Sequence, residues 1–94
     1  MKIQTGNVNE EKHVPFIEEL DNGYRVTMGK PAIHPMKDMH YIEYVELYVD
    51  DEMVAKKEFE PGDEPVAEFN VDKGKHVYAR ELCNVHGLWQ GELE

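Results

Sequence analysis

The chain has 94 residues, 40% of them hydrophobic, which suits one domain with a modest core and is too apolar for a disordered polymer. Its formal net charge of −10 argues against a nucleic acid or an anionic membrane surface as partner, because both demand a basic face. Cys83 is the single cysteine, so neither an internal disulfide nor a Cys-x-x-Cys zinc pair can form, and no apolar run of about 18 residues is present to span a bilayer.

The first six residues, Met1 to Gly6, carry one lysine and no apolar run behind it, so they do not read as a secretory signal and the expected compartment is the cytoplasm. Glu10-Glu11-Lys12 follows as a solvated charge run, and His13 beside it reads, taken alone, as a surface histidine. Val14–Leu20 has strand character. Asn22-Gly23 marks a hairpin into Tyr24–Met28, where Tyr24, Val26 and Met28 share one face. His34-Pro35 opens a segment that leads to His40, with Met36 and Met39 as lining rather than ligands.

Tyr41–Val49 is strand-like with imperfect alternation, which predicts burial on both faces or a bulge. Met53–Phe59 and Val66–Val71 are further short strands, and in the latter Ala67, Phe69 and Val71 share a face. His76–Leu82 comes next, with Val77 and Ala79 on one side. It runs into Cys83-Asn84-Val85-His86 and Gly87, which suits a tight turn. Turn signals at Asp21-Asn22-Gly23, Asp50-Asp51-Glu52, Pro61-Gly62-Asp63 and Asp72-Lys73-Gly74 separate these runs, and no segment sustains a helical period. The pattern predicts an all-β sandwich of six or seven short strands.

The chemistry lies in the histidines and the cysteine. His34 and His40 sit at the mouth of the Tyr41 strand, and Cys83 and His86 at the end of the His76 strand. Loops at one end of a sandwich converge, so these two pairs can face one ion. His76, within a strand, reads as an ordinary histidine. Imidazole suits zinc, copper, iron and nickel. With His13 included, five candidate ligands exceed a closed tetrahedral zinc site and suit an ion of higher coordination number, such as iron(II). Were the imidazoles to lie in a plane with the thiolate axial, the position opposite the sulfur would stay open for reaction. Backbone N–H groups of residues 84–86 are candidates to donate to that sulfur and tune the metal.

Glu11-Lys12-His13-Val14-Pro15, His34-Pro35-Met36, His40-Tyr41-Ile42 and Cys83-Asn84-Val85-His86-Gly87-Leu88-Trp89 together resemble superoxide reductase, in particular the iron-centre domain of desulfoferrodoxin and the shorter neelaredoxins. The resemblance runs from about Glu11 to Trp89, so residues 1–94 read as a single domain of this type. It implies an immunoglobulin-like β-sandwich of about seven strands. It implies a mononuclear non-haem iron held by His13, His34, His40 and His86, with Cys83 as axial ligand. The reaction implied is one-electron reduction of superoxide to hydrogen peroxide. Glu11 would serve as a sixth ligand to the oxidised iron, and Lys12 would draw in superoxide and help deliver protons. A rubredoxin-like donor and a homo-oligomeric assembly are also implied.

This sequence departs from the family pattern in two ways. Leu82 stands before the cysteine, where many relatives carry an aromatic, and the four-cysteine centre of desulfoferrodoxin has no counterpart here. Trp89 is expected to pack against the site. The competing readings are a non-catalytic iron-binding electron carrier or metal-stabilised domain and, behind it, a structural zinc domain. Glu11 and Lys12 beside His13 favour the enzyme, since a carrier has no use for an anion-attracting lysine at an open position.

Overall fold

The computed structural model describes residues 2–30 and 32–93. It contains eight strands: β1 (Ile3–Gln4), β2 (Pro15–Leu20), β3 (Gly23–Met28), β4 (Ile42–Val49), β5 (Glu52–Glu58), β6 (Val66–Phe69), β7 (Val77–Cys83) and β8 (Gly87–Glu92). They form a five-stranded sheet of order β1-β8-β7-β4-β5 and a three-stranded sheet of order β2-β3-β6. Labelled A, B, C, C′, E, F and G in chain order from β2, the two sheets read A-B-E and G-F-C-C′. That is the strand arrangement of an immunoglobulin sandwich without its D strand.

The alternation along β3 buries Tyr24, Val26 and Met28, all within 1% exposure, as its sequence predicts. They meet Ile42, Val45, Leu47 and Val49 of β4 and Val77 and Ala79 of β7 in one core between the sheets. Register shifts interrupt β4 between Ile42 and Tyr44 against β7, and between Leu47 and Tyr48 against β5. These irregularities account for its broken alternation. The β4–β5 hairpin turns on Asp50 (φ 50) and Asp51 (φ 68), the two positive φ values that a primed two-residue turn requires. β5 closes the sheet as an exposed edge bearing Lys56 and Lys57.

Two strands escape the sequence pattern. β1 is only two residues long and pairs in parallel with β8. β8 carries Gly87 and Gly91, which lower strand propensity and break the apolar alternation, and it is recognisable only through its ladder to β7.

Candidate metal centre

Three stretches of chain deliver the candidate ligands to one end of the sandwich. His13 precedes β2, which is packed against β8 so closely that a Cβ on Gly91 would run into the Pro15 carbonyl. Only glycine permits that seam. His34 and His40 lie on the β3–β4 connection. It leaves β3 through Gly29, whose φ of 102 and whose approach to the Ala32 carbonyl both exclude a side chain. The His34 N–H then donates to the Met28 carbonyl (3.1 Å), and Lys37 and His40 exchange backbone hydrogen bonds (2.9 and 3.0 Å). Cys83 is the last residue of β7, and His86 closes the turn before β8.

The four imidazoles form a closed circuit. Ring centroids are 4.7 Å apart for His13–His34, 4.9 Å for His34–His40, 5.0 Å for His40–His86 and 4.6 Å for His86–His13. Each ring meets its neighbours edge to face. His13 Nε2 lies 3.0 Å from His86 Nδ1, and Cys83 Sγ lies 3.9 Å from the same nitrogen. One ligand atom from each of His13, His40, Cys83 and His86 falls within 4.8 Å of all the others. His34 stands in the same circuit, though outside that closest group of four. His76 is elsewhere, on the surface, between Glu92 (2.8 Å) and Asp51 (3.8 Å).

Hydrogen bonds fix which nitrogens face the pocket. The Pro35 carbonyl can only accept, so His34 Nδ1 donates to it (2.8 Å) and Nε2 carries the free lone pair. His13 Nδ1 lies 2.6 Å from Glu11 Oε1, which likewise turns Nε2 inward. His34 Nε2 and His40 Nε2 are both buried with no partner in the protein. Burial, reinforced by the charges of neighbouring histidines and Lys12, pushes His34 down to about 4, and the same causes with Lys37 lower His40. These rings are therefore neutral at pH 7, the form that binds a metal.

An orphaned buried nitrogen carries a desolvation cost that a metal ion removes. Four convergent imidazoles with a buried thiol, exposed to only 1%, fit a transition metal and do not suit a hard cation such as calcium or magnesium.

The surrounding residues complete the arrangement. The Trp89 indole stacks on His13 (5.0 Å, 18°), and its Nε1–H donates to the His86 carbonyl (3.1 Å), which also accepts from Gln4 Nε2 (2.7 Å). Glu11 sits behind His13 rather than in the pocket. Its hydrogen bond to His13 is the main cause that lowers its own carboxyl. Lys12 is partly exposed, and its charge acts on His34, His40 and Glu11.

Two features depart from the sequence reading. The Asn84 N–H is spent on the Tyr41 carbonyl, and among the described residues no backbone N–H donates to the Cys83 sulfur. Glu81, which lies within the His76–Leu82 run, is fully buried with both carboxylate oxygens unpartnered. Burial, and then the charge of Glu11, push its carboxyl up to about 9. The alternation Ala79-Glu81-Cys83 along β7 was the signal that could have placed it inside.

The sequence profile of the Desulfoferrodoxin family matches residues 5–92. This chain belongs to the desulfoferrodoxin family. The desulfoferrodoxin of Nitratidesulfovibrio vulgaris is 51% identical over 92 residues, which cover 98% of this chain and 71% of that protein. Among solved structures, a superoxide reductase (1Fe-SOR) from Giardia intestinalis superposes with a TM-score of 0.79 at 32% identity, covering 90% of this chain and 99% of that one. The superoxide reductase (neelaredoxin) of Archaeoglobus fulgidus in its reduced form gives a TM-score of 0.79 at 32% identity, over 97% of this chain and 95% of that one. The desulfoferrodoxin fold of this chain is thus the immunoglobulin-like sandwich that its motifs imply.

Proposed function

We propose that this chain is a superoxide reductase. It passes one electron to superoxide, two protons are added, and hydrogen peroxide leaves without release of dioxygen. The observation that carries this reading is the convergence of four imidazoles and one thiol, with the buried Nε2 atoms of His34 and His40 unpartnered. We assign His13, His34, His40, His86 and Cys83 as the residues that hold a mononuclear non-haem iron. Bound there, iron supplies the single electron by cycling between Fe(II) and Fe(III), with the sulfur of Cys83 raising its electron density.

The chain's own residues do the rest. Superoxide is a small anion, and a net charge of −10 repels it at long range. Lys12 supplies a positive charge near the pocket, where it acts on both His34 and His40. It draws the anion toward the imidazoles and donates hydrogen bonds through which water relays protons. Glu11 accepts from His13 Nδ1 and keeps Nε2 aimed into the pocket. Trp89 and the Pro35 carbonyl hold the His13 and His34 rings in place.

Each turnover consumes one electron, so a one-electron donor must restore the reduced state, and we assign that part to a rubredoxin-like protein. We further assign residues 1–94 to one iron-binding domain, working as a homo-oligomer in the cytoplasm, where the free thiol of Cys83 stays reduced.

The test is rapid mixing of anaerobic, Fe(II)-loaded protein with superoxide. Fast growth of the visible thiolate-to-iron(III) band, with peroxide and no dioxygen produced, is the expected result. Full iron occupancy without that band would overturn the reading in favour of an electron carrier or a metal-stabilised domain.

A further inference from the structure

His40 differs from the other histidines of the pocket in how it is held. Glu11 fixes the His13 ring, the Pro35 carbonyl fixes His34, and His86 follows Cys83 within one tight turn. Among the described residues, no hydrogen bond reaches the His40 ring, and its Nε2 is buried without a partner. Its aim therefore depends on its backbone. Lys37 pairs with His40's own backbone groups, and Asn84 holds the residues on either side. The Asn84 Oδ1 accepts from the Tyr41 N–H (2.9 Å), just after His40, and the Asn84 Nδ2 donates to the Met39 carbonyl (3.2 Å), just before it. The Asn84 main-chain N–H adds a third bond, to the Tyr41 carbonyl (3.1 Å).

Asn84 itself lies between Cys83 and His86. It therefore ties the loop that delivers His40 to the turn that delivers the other two groups, across a sequence separation of 43 to 45 residues. Resting on the metal-centre reading above, we propose that Asn84 is a positioning residue: its side-chain amide sets the distance between His40 and the Cys83–His86 turn, and so sets how tightly the metal is held.

The chemistry of the side chain is selective. The clasp needs an acceptor and a donor on one short planar group. Aspartate keeps the acceptor but faces the Met39 carbonyl with negative charge, whereas alanine loses both bonds. Asn84 is exposed, so its removal leaves no cavity in the core and no buried orphan on its own side chain. Fold stability and metal retention should therefore separate.

The experiment compares wild type with Asn84→Ala and Asn84→Asp. Iron-loaded protein is challenged with excess chelator to give a release rate. Metal-free protein is titrated with Co(II), whose thiolate charge-transfer band reports Cys83 ligation without any dependence on superoxide chemistry. Melting of the metal-free proteins is followed in parallel. We expect iron release to quicken by about tenfold or more in Asn84→Ala, the usual effect of losing an outer partner of a metal site, with a shifted Co(II) band. Asn84→Asp should fall between Asn84→Ala and wild type, and the metal-free melting temperatures should stay close together.

Release at the wild-type rate with an unchanged Co(II) band would overturn the clasp and leave the metal centre standing. A metal-free Asn84→Ala that no longer folds would leave the decision to Asn84→Asp, where wild-type release would again overturn it. A wild-type protein that shows no thiolate band with Co(II) would bring down the metal centre, and the clasp with it.

Discussion

The indole of Trp89 lies stacked on the imidazole of His13 at 5.0 Å and 18°, while its N–H holds the carbonyl of His86 at 3.1 Å. One side chain on β8 thus braces two members of the imidazole circuit. Trp89→Leu removes a stacking contact of about 0.5–1.5 kcal/mol and a hydrogen bond of about 1 kcal/mol. The expected outcome is roughly tenfold faster iron release with the thiolate band retained. Chelator-challenge kinetics check it, and a wild-type rate would mean that the stack holds nothing in place.

Cys83→Ser replaces the buried sulfur with a smaller and harder oxygen. The variant should still fold and take up iron through the imidazoles, but lose the visible thiolate band and most of its activity. An iron-loaded Cys83→Ser protein with the wild-type spectrum would exclude Cys83 as a ligand.

Lys12→Ala leaves every candidate ligand in place and removes the positive charge felt at His34 and His40. At low ionic strength the second-order rate with superoxide should fall by about tenfold, and its dependence on salt should weaken. Iron content should not change. Stopped-flow rates across a salt series decide the matter, and identical slopes for wild type and variant would refute steering by Lys12.

Glu81 gives a prediction about pH. Its carboxyl is raised to about 9 in the fold from an ordinary value of 4.5, so the folded protein keeps a proton that the unfolded chain releases between these limits. Stability from this group is complete below pH 4.5 and drains away as pH climbs toward 9. Glu81→Gln cannot ionise and should abolish that slope. Near pH 4 the two metal-free proteins should melt together. At pH 7 the variant should gain on the order of 3 kcal/mol. Melting curves that stay parallel from pH 4 to pH 8 would show that Glu81 is not held protonated.

The core was the most legible part of the chain, because period-two patterning is written directly into residues such as Tyr24, Val26 and Met28. β4 could be recognised as a strand whose alternation fails, and its register shifts supply the reason. β8 could not be read, since its two glycines mark a turn and a close backbone crossing rather than a pattern of burial. The candidate ligands stood out as residue types, and the structure gathers His13, His34, His40, Cys83 and His86 at one end of the sandwich. What surrounds them was less visible. Asn84 and Gln4 act through bonds to backbone carbonyls and N–H groups, which leave no compositional trace. Glu11 is engaged with His13 Nδ1, a contact that depends on a local turn and not on spacing alone.

His13 and His86 touch across 73 intervening steps of sequence, with His34 and His40 closing the circuit from a third stretch. No contiguous stretch of the chain can assemble this pocket. An ion can be enclosed only once the stretch bearing His13, the β3–β4 connection and the turn after β7 have come together. Metal binding at this site therefore reports on assembly of the whole sandwich rather than of any one hairpin.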